Sequence, residues 1–200
     1  MSLRIEVWSD FACPWCFLVA SSLEKLRTTH RIALHWRAYE LRPPGSPPIP
    51  AAYMEHIHRM TPRLHAIARE HYGIQLNRGP FGITTRTAHI GAKYAQAQGL
   101  GDRYHMAVFR AYFEQGEAID DLHVLTRVAG EVGLEPAHFR AALDNEDFIS
   151  AVLSDEMDAY EHGLTGVPAL VFLRKYLVNG AQPYEVLKDI VELLETGAVG

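Results

Sequence analysis

Cysteine is almost absent from this chain, with two residues in 200. That scarcity excludes a framework of structural disulfides and a zinc site built on four cysteines. Positive charge is also in short supply. The formal net charge is −5, which argues against an electrostatic nucleic-acid binder. No apolar run reaches the roughly 18 residues that a membrane span needs. Arg4 and Glu6 interrupt the first apolar residues, so the N-terminus does not read as a secretory signal. The expectation is a cytoplasmic protein with neither nucleic-acid nor membrane partners, in a compartment that favours catalytic over structural disulfides. Apolar residues are plentiful, at 48% of the chain, enough for one core or for a core with a subdomain.

The two cysteines are not scattered. They form Cys13-Pro14-Trp15-Cys16, directly after a strand-like run. Residues 3–8 alternate apolar and polar side chains up to Trp8, and Ser9-Asp10-Phe11-Ala12 reads as a short turn. Pro14 suits the first turn of a helix, where the N–H it lacks would have no partner. Cys16, Val19, Leu23 and Leu26 then recur at steps of three and four, one face of a helix over about 14–27. Cys16 falls on the buried stripe. Cys13 falls at the exposed N-terminus, where free N–H groups and the macrodipole favour an anion. At an unperturbed pKa of about 8.5, only about 3% of a thiol is ionised at pH 7. A helix N-terminus can lower that pKa to about 5, which leaves roughly 99% as the reactive thiolate. Cys13 is therefore expected to be the nucleophile, and Cys16 to resolve a mixed disulfide. Two other readings remain. The pair could be half of a zinc site completed by His56, His58, His65 or His71, or it could be merely structural. Strand, turn, proline and helix follow in the order that a catalytic dithiol requires.

Ile32, Leu34, Trp36 and Ala38 alternate with Ala33, His35, Arg37 and Tyr39, which predicts a second strand. Strand, helix and strand make a βαβ unit with parallel strands and a right-handed crossover. Residues 43–50 then hold five prolines, which can continue neither strand nor helix. Beyond them the pattern is helical for more than a hundred residues, with helices expected over 51–60, 63–72, 85–98, 102–115, 121–132, 136–143 and 147–161. Pro62 is expected to separate the first two. Tyr104, Val108, Phe109, Tyr112 and Phe113 form an aromatic stripe that reads as the core of a subdomain. Apolar runs at 168–173 and 175–180, joined by a tight turn near Arg174-Lys175, fit a hairpin and make the sheet mixed. A last helix carries Val186, Leu187, Ile190, Val191 and Leu194 on one face. The fold class is therefore α/β: a thioredoxin-like fold (βαβ…ββα, mixed sheet) over 1–42 and 163–200, opened by an all-helical insertion over 43–162.

With Cys13-Pro14-Trp15-Cys16 after Ser9-Asp10, Gly166-Val167-Pro168 opening the third strand, and Gly180-Ala181-Gln182 before the last helix, the chain resembles the DsbA-like thioredoxin-fold oxidoreductases of the FrnE type. The resemblance spans about residues 3–194. The segment Thr84-Thr85-Arg86-Thr87-Ala88-His89 departs from it in starting with Thr84 where the family usually has Asn. The resemblance implies a cis peptide at Val167-Pro168 facing the dithiol, with backbone groups there offered to an extended substrate. Pro14 and Trp15 lie between the sulfurs, and Trp15 is expected to form one wall of the substrate groove. His89 is a further substrate-site candidate, approaching from the insertion.

The function expected is thiol–disulfide exchange through Cys13 and Cys16, acting on a disulfide-containing protein or a low-molecular-weight thiol. No cofactor is needed beyond the redox-active pair, glutathione is a candidate substrate or reductant, and no metal is required. The alternative is a glutathione-dependent transferase or isomerase resembling the kappa class, whose members typically carry Ser where Cys13 stands and need no second thiol. A third reading is a metal-binding or holdase-like module using the pair as ligands.

Overall fold

In the computed structural model, which describes residues 2–197, the alternating runs pair as strands β1 (Leu3–Ser9) and β2 (Ile32–Ala38), joined by helix α1 (Pro14–Thr29). β1 and β2 are parallel, with Leu3 opposite Ile32 and Ser9 opposite Ala38. Six helices and one short π turn follow before the sheet resumes. They are α2 (Ala51–Ile67) with its continuation Ala68–Tyr72, α3 (Arg86–Ala97), α4 (Gly101–Phe113), α5 (Leu122–Glu131), α6 (Pro136–Ala142) and α7 (Glu146–Glu161). The chain then returns as β3 (Ala169–Phe172) and β4 (Tyr176–Asn179) and ends in α8 (Tyr184–Glu195). The sheet order is β2-β1-β3-β4, with β3 antiparallel to both β1 and β4. The fold is therefore thioredoxin-like, with a helical stretch set between β2 and β3. Residues 1 and 198–200, at the expected outer limits of the thioredoxin-like part, lie outside the described residues.

The central strand is buried on both faces, which its alternation did not foretell. Ile5 and Val7 enter the main core, and Glu6 and Trp8 are also shielded. The reason is α7, which covers the second face. The Trp8 indole donates to the Asp155 carbonyl at 3.0 Å, and Arg37 bridges Glu6 (2.9 Å) and the Asp155 carboxylate (2.8 Å). Asp155 is buried too, accepting from the Ala38 amide at 2.7 Å and from Lys93. A buried charge is tolerated when paired and hydrogen-bonded in this way.

Two expectations about the helical stretch are corrected. Pro62 does not separate two helices, because α2 runs straight through it. Its missing N–H frees only the carbonyl of His58, and His58 is an exposed residue where water can serve that group. The aromatic stripe of α4 is not a private subdomain core. Phe113 stacks on Phe17 of α1 at 5.4 Å and Phe109 meets Phe11 at 5.3 Å, so insertion and dithiol helix share one continuous apolar cluster.

The β3–β4 turn centres on Leu173 and Arg174 rather than one residue later. Both have positive φ (53° and 59°), and the Lys175 amide donates to the Phe172 carbonyl at 2.9 Å. Hairpin turns of this hand favour Asn-Gly, since left-handed backbone costs other residues about 1–2 kcal/mol. Replacing Leu173→Asn and Arg174→Gly together is expected to raise the unfolding free energy by about 1–2 kcal/mol in urea titration.

Candidate active site

The turn before the dithiol is built by Asp10. Its Oδ1 accepts the Ala12 amide at 2.9 Å, an Asx turn, and its backbone carbonyl accepts the Cys13 amide at 3.1 Å. Its Oδ2 accepts the Leu41 amide at 2.6 Å and so ties the turn to the segment after β2. Cys13 is thereby held as the N-cap of α1 with extended backbone, and Pro14 takes the first helical position. The Cys13 carbonyl accepts the amides of Cys16 (3.1 Å) and Phe17 (3.3 Å), so Cys16 lies one turn in, beneath Cys13.

Opposite this helix end stands the loop before β3. The Val167-Pro168 peptide is cis. The Val167 carbonyl accepts a hydrogen bond from the Cys13 thiol at 3.7 Å, a sulfur distance. Beside the thiol a cavity of about 660 Å³ opens, bordered by Asp10, Cys13, Pro14, Trp15 and Val167, with α2 as a wall. Trp15 is 38% exposed. Cys13 is only 3% exposed, so it is not the surface residue that its helix-end position suggested. The Val167 loop and the α2 wall screen it, and the cavity is its access.

Cys16 is fully buried, and the two sulfurs interact side chain to side chain. Burial, reinforced by the Cys13 sulfur and the charge of Asp10, pushes the Cys16 thiol well above its ordinary value. Asp10 is shifted in its turn. Burial raises its carboxyl to about 6, against the lowering pull of the Ala12 and Leu41 amides and of Thr85.

Cys13, Pro14, Trp15 and Val167 meet at the cavity. Pro168 is buried directly behind Val167, its carbonyl accepting the Gly180 amide at 2.8 Å. His89 does not join them. It is buried with its ring 4.7 Å from Phe11, and burial, aided by the charges of Lys93 and Arg86, lowers it to about 3. It is a neutral core residue because α3 turns that face inward. His56, His58, His65 and His71 all lie at exposed positions. Among the described residues no group of three or more His, Cys, Asp or Glu side chains could hold a metal. No helix among them is long and apolar enough to cross a membrane.

Sequence reasoning missed two parts of the site. Asp10 was read as a turn residue and as part of the motif before the dithiol, with no role in the site, although an acid three positions before an N-cap cysteine is itself a signal. The cavity wall was legible in principle as the spacing Ile57, Met60, Leu64, Ile67, an apolar face on a helix of otherwise polar character.

The family model of the DSBA-like thioredoxin domain matches residues 4–192. The protein YwbO of Bacillus subtilis (strain 168) is 29% identical over 195 residues, 96% of each chain. The crystal structure of a probable DsbA oxidoreductase from Streptomyces coelicolor superposes with a TM-score of 0.83 at 28% identity, over 99% of this chain and 92% of that one. The cytosolic disulfide reductase DsbM from Pseudomonas aeruginosa, determined with GSH, has a TM-score of 0.73 at 17% identity, over 96% of this chain and 100% of that one, a likeness of fold.

The Asp10 shift fixes the sign of a pH effect. Its folded pKa lies above its ordinary 3.8, so the folded chain holds this proton more tightly, and stability present at low pH is lost as the pH rises through about 6. Between about pH 4 and pH 7 the wild type is expected to lose about 2–3 kcal/mol of unfolding free energy relative to Asp10→Asn, measured by urea titration. A difference that stays flat across that range would show that the carboxyl is not held in a desolvated site.

Proposed function

The chain belongs to the DSBA-like thioredoxin domain family, and from that premise we propose that Cys13 and Cys16 carry out thiol–disulfide exchange through a mixed disulfide, in the manner of the FrnE type. The observation that supports this most directly is the vertical arrangement of the two sulfurs. Cys13 faces the cavity, and Cys16 lies fully buried one helical turn beneath it.

The Cys13 thiolate attacks a substrate disulfide. One S–S bond breaks, a substrate sulfur departs with the electron pair, and Cys13 is left joined to the other half. The Cys16 thiol keeps its proton until this point, because its burial and the Cys13 sulfur disfavour a second anion. Once Cys13 is bonded and uncharged, that repulsion is gone. Cys16 gives up its proton and attacks the Cys13 sulfur, releasing the second substrate thiolate and closing the internal disulfide. We assign Asp10 as the proton acceptor. It lines the cavity beside Cys13, its charge reaches Cys16, and a carboxyl held near 6 is matched to proton transfer close to neutrality.

Val167, Pro168, Pro14 and Trp15 form the substrate-contacting rim in this reading, and His89 is left out of it. Glutathione is the reductant we assign, in line with the ligand of the DsbM structure, and the cytosol is the compartment that supplies it. A kappa-type transferase reading would leave Cys16 without a task.

Cys13→Ser is expected to abolish exchange with oxidised glutathione, and Cys16→Ser to accumulate a glutathione adduct on Cys13, both read by intact-protein mass spectrometry. Turnover that survives Cys16→Ser unchanged would reject the dithiol mechanism in favour of the transferase.

A further inference from the structure

The cavity beside Cys13 has a composition that its role as a sulfur entrance does not require. No residue of α2 is buried, yet Ile57, Met60, Leu64 and Ile67 line the space, with Phe81 and Ile83 also on its walls. Leu64 and Ile83 also pack on the main core, whereas Ile57, Met60, Ile67 and Phe81 belong to none of the core clusters and face the open space. A space of about 660 Å³ falls in the range of small-molecule sites, which combine apolar walls with a few polar anchors.

The polar anchors here are of one sign. Arg42, Arg63 and Arg78 border the cavity, and among the described residues none of them meets a carboxylate. Arg42 donates to the Pro47 carbonyl at 2.7 Å, and Arg78 lies over the Phe81 ring at 4.6 Å. Elsewhere the guanidiniums of Arg37, Arg86, Arg110 and Arg127 all reach acidic partners. Among the described residues Asp10 is the one acidic side chain on the cavity, and its oxygens accept the Ala12 and Leu41 amides. In a chain of net charge −5, unpaired positive charge gathered at one apolar mouth is a local arrangement.

We propose that the cavity takes a small organic disulfide with an apolar body and an anionic group, the body lying along α2 and the anion held by Arg63 and Arg78. The inference rests on the thiol–disulfide reading above and narrows its substrate class. Glutathione is anionic but has no apolar body to cover the α2 side. A protein disulfide would have to pass the α2 wall. The chemistry is the exchange already described: two electrons and two protons leave the dithiol, the substrate S–S bond is cleaved, and both halves depart as thiols or thiolates.

The test uses the reduced full-length protein and two aromatic disulfides with similar leaving groups, dithiobis(nitrobenzoate), which is anionic, and dithiobis(nitropyridine), which is neutral. Each rate is divided by the rate of the same reagent with free mercaptoethanol. The anionic reagent is expected to be favoured by about tenfold or more, the scale of a charge-assisted contact. The Arg63→Gln, Arg78→Gln double variant should bring that ratio towards one. Arg31→Gln, whose backbone carbonyl pairs with Leu3 at the other end of β1, removes a charge elsewhere and should leave the ratio as it was. In the wild type, naphthoate should slow iodoacetamide modification of Cys13 more than naphthamide does. A wild-type ratio at or below one, a ratio unmoved by the double variant, or equal protection by the two naphthyl compounds would overturn the inference while leaving the exchange reading intact. Failure of both reagents to release two thiolates per chain would remove that reading as well.

Discussion

The buried carboxylate of Asp10 is the constraint on which the rest of the site depends. It lies where three stretches of chain converge: the turn before Cys13, the segment leaving β2, and the start of α3 at Thr85. The strand pairing that ends at Ser9 and Ala38, with the Tyr39 amide donating to the Ser9 carbonyl at 3.1 Å, brings the two segments side by side, and Asp10 extends that tie to Leu41 and to Ala12. Burying it is unfavourable, as its raised pKa records. That cost is only partly offset by the amide bonds from Ala12 and Leu41. A second clamp acts next to it. Glu40 is gripped at both oxygens by Arg86, at 2.5 and 2.8 Å, so the residue preceding Leu41 is anchored to α3. Adjacent residues of one short segment are thus fixed from opposite sides, and the cavity margin they form inherits that rigidity.

Much of this was readable in the sequence, and the reasons are local. Strand alternation, Pro14 at the first helical position and the paired runs before α8 are signals carried by a few neighbouring residues, and they placed β1, α1, β2 and the hairpin correctly. What failed were inferences about who packs against whom. The aromatic side chains of α4 have helical spacing whichever surface they meet, so periodicity could not show that Phe113 stacks on Phe17. His89 is the same case. Its place at the end of a segment that resembles the family's said nothing about whether Phe11 would stand in front of it. Pro62 misled for a different reason. A proline is costly in a helix whose freed carbonyl is buried, and α2 has no buried residue.

The exposure of Cys13 joins these two themes. Its helix-end position implied an open thiol, and the fold instead screens it behind the Val167 loop and the α2 wall. Screening changes the chemistry available. In a recess lined by apolar side chains, a charged sulfur is less well hydrated, and the fixed dipoles of the α1 N-terminus matter more than they would in water. In the exchange we propose, a substrate filling the recess would displace water and bring its own sulfur to Cys13.

The layering of the two sulfurs gives the exchange we propose an order. A buried thiol whose ionisation is opposed by its neighbour is poorly placed to meet an incoming disulfide, and in that proposal the first attack is assigned to the sulfur on the cavity. In the exchange we propose, bonding of the Cys13 sulfur to a substrate removes its opposition to Cys16 and presents Cys16 with an electrophilic sulfur one helical turn away. The same contact that holds Cys16 protonated in the resting dithiol would, in that proposal, release it once Cys13 is bonded. Control of this kind is electrostatic and local, and it draws on α1 holding the pair in register and on Asp10 anchoring the turn before α1.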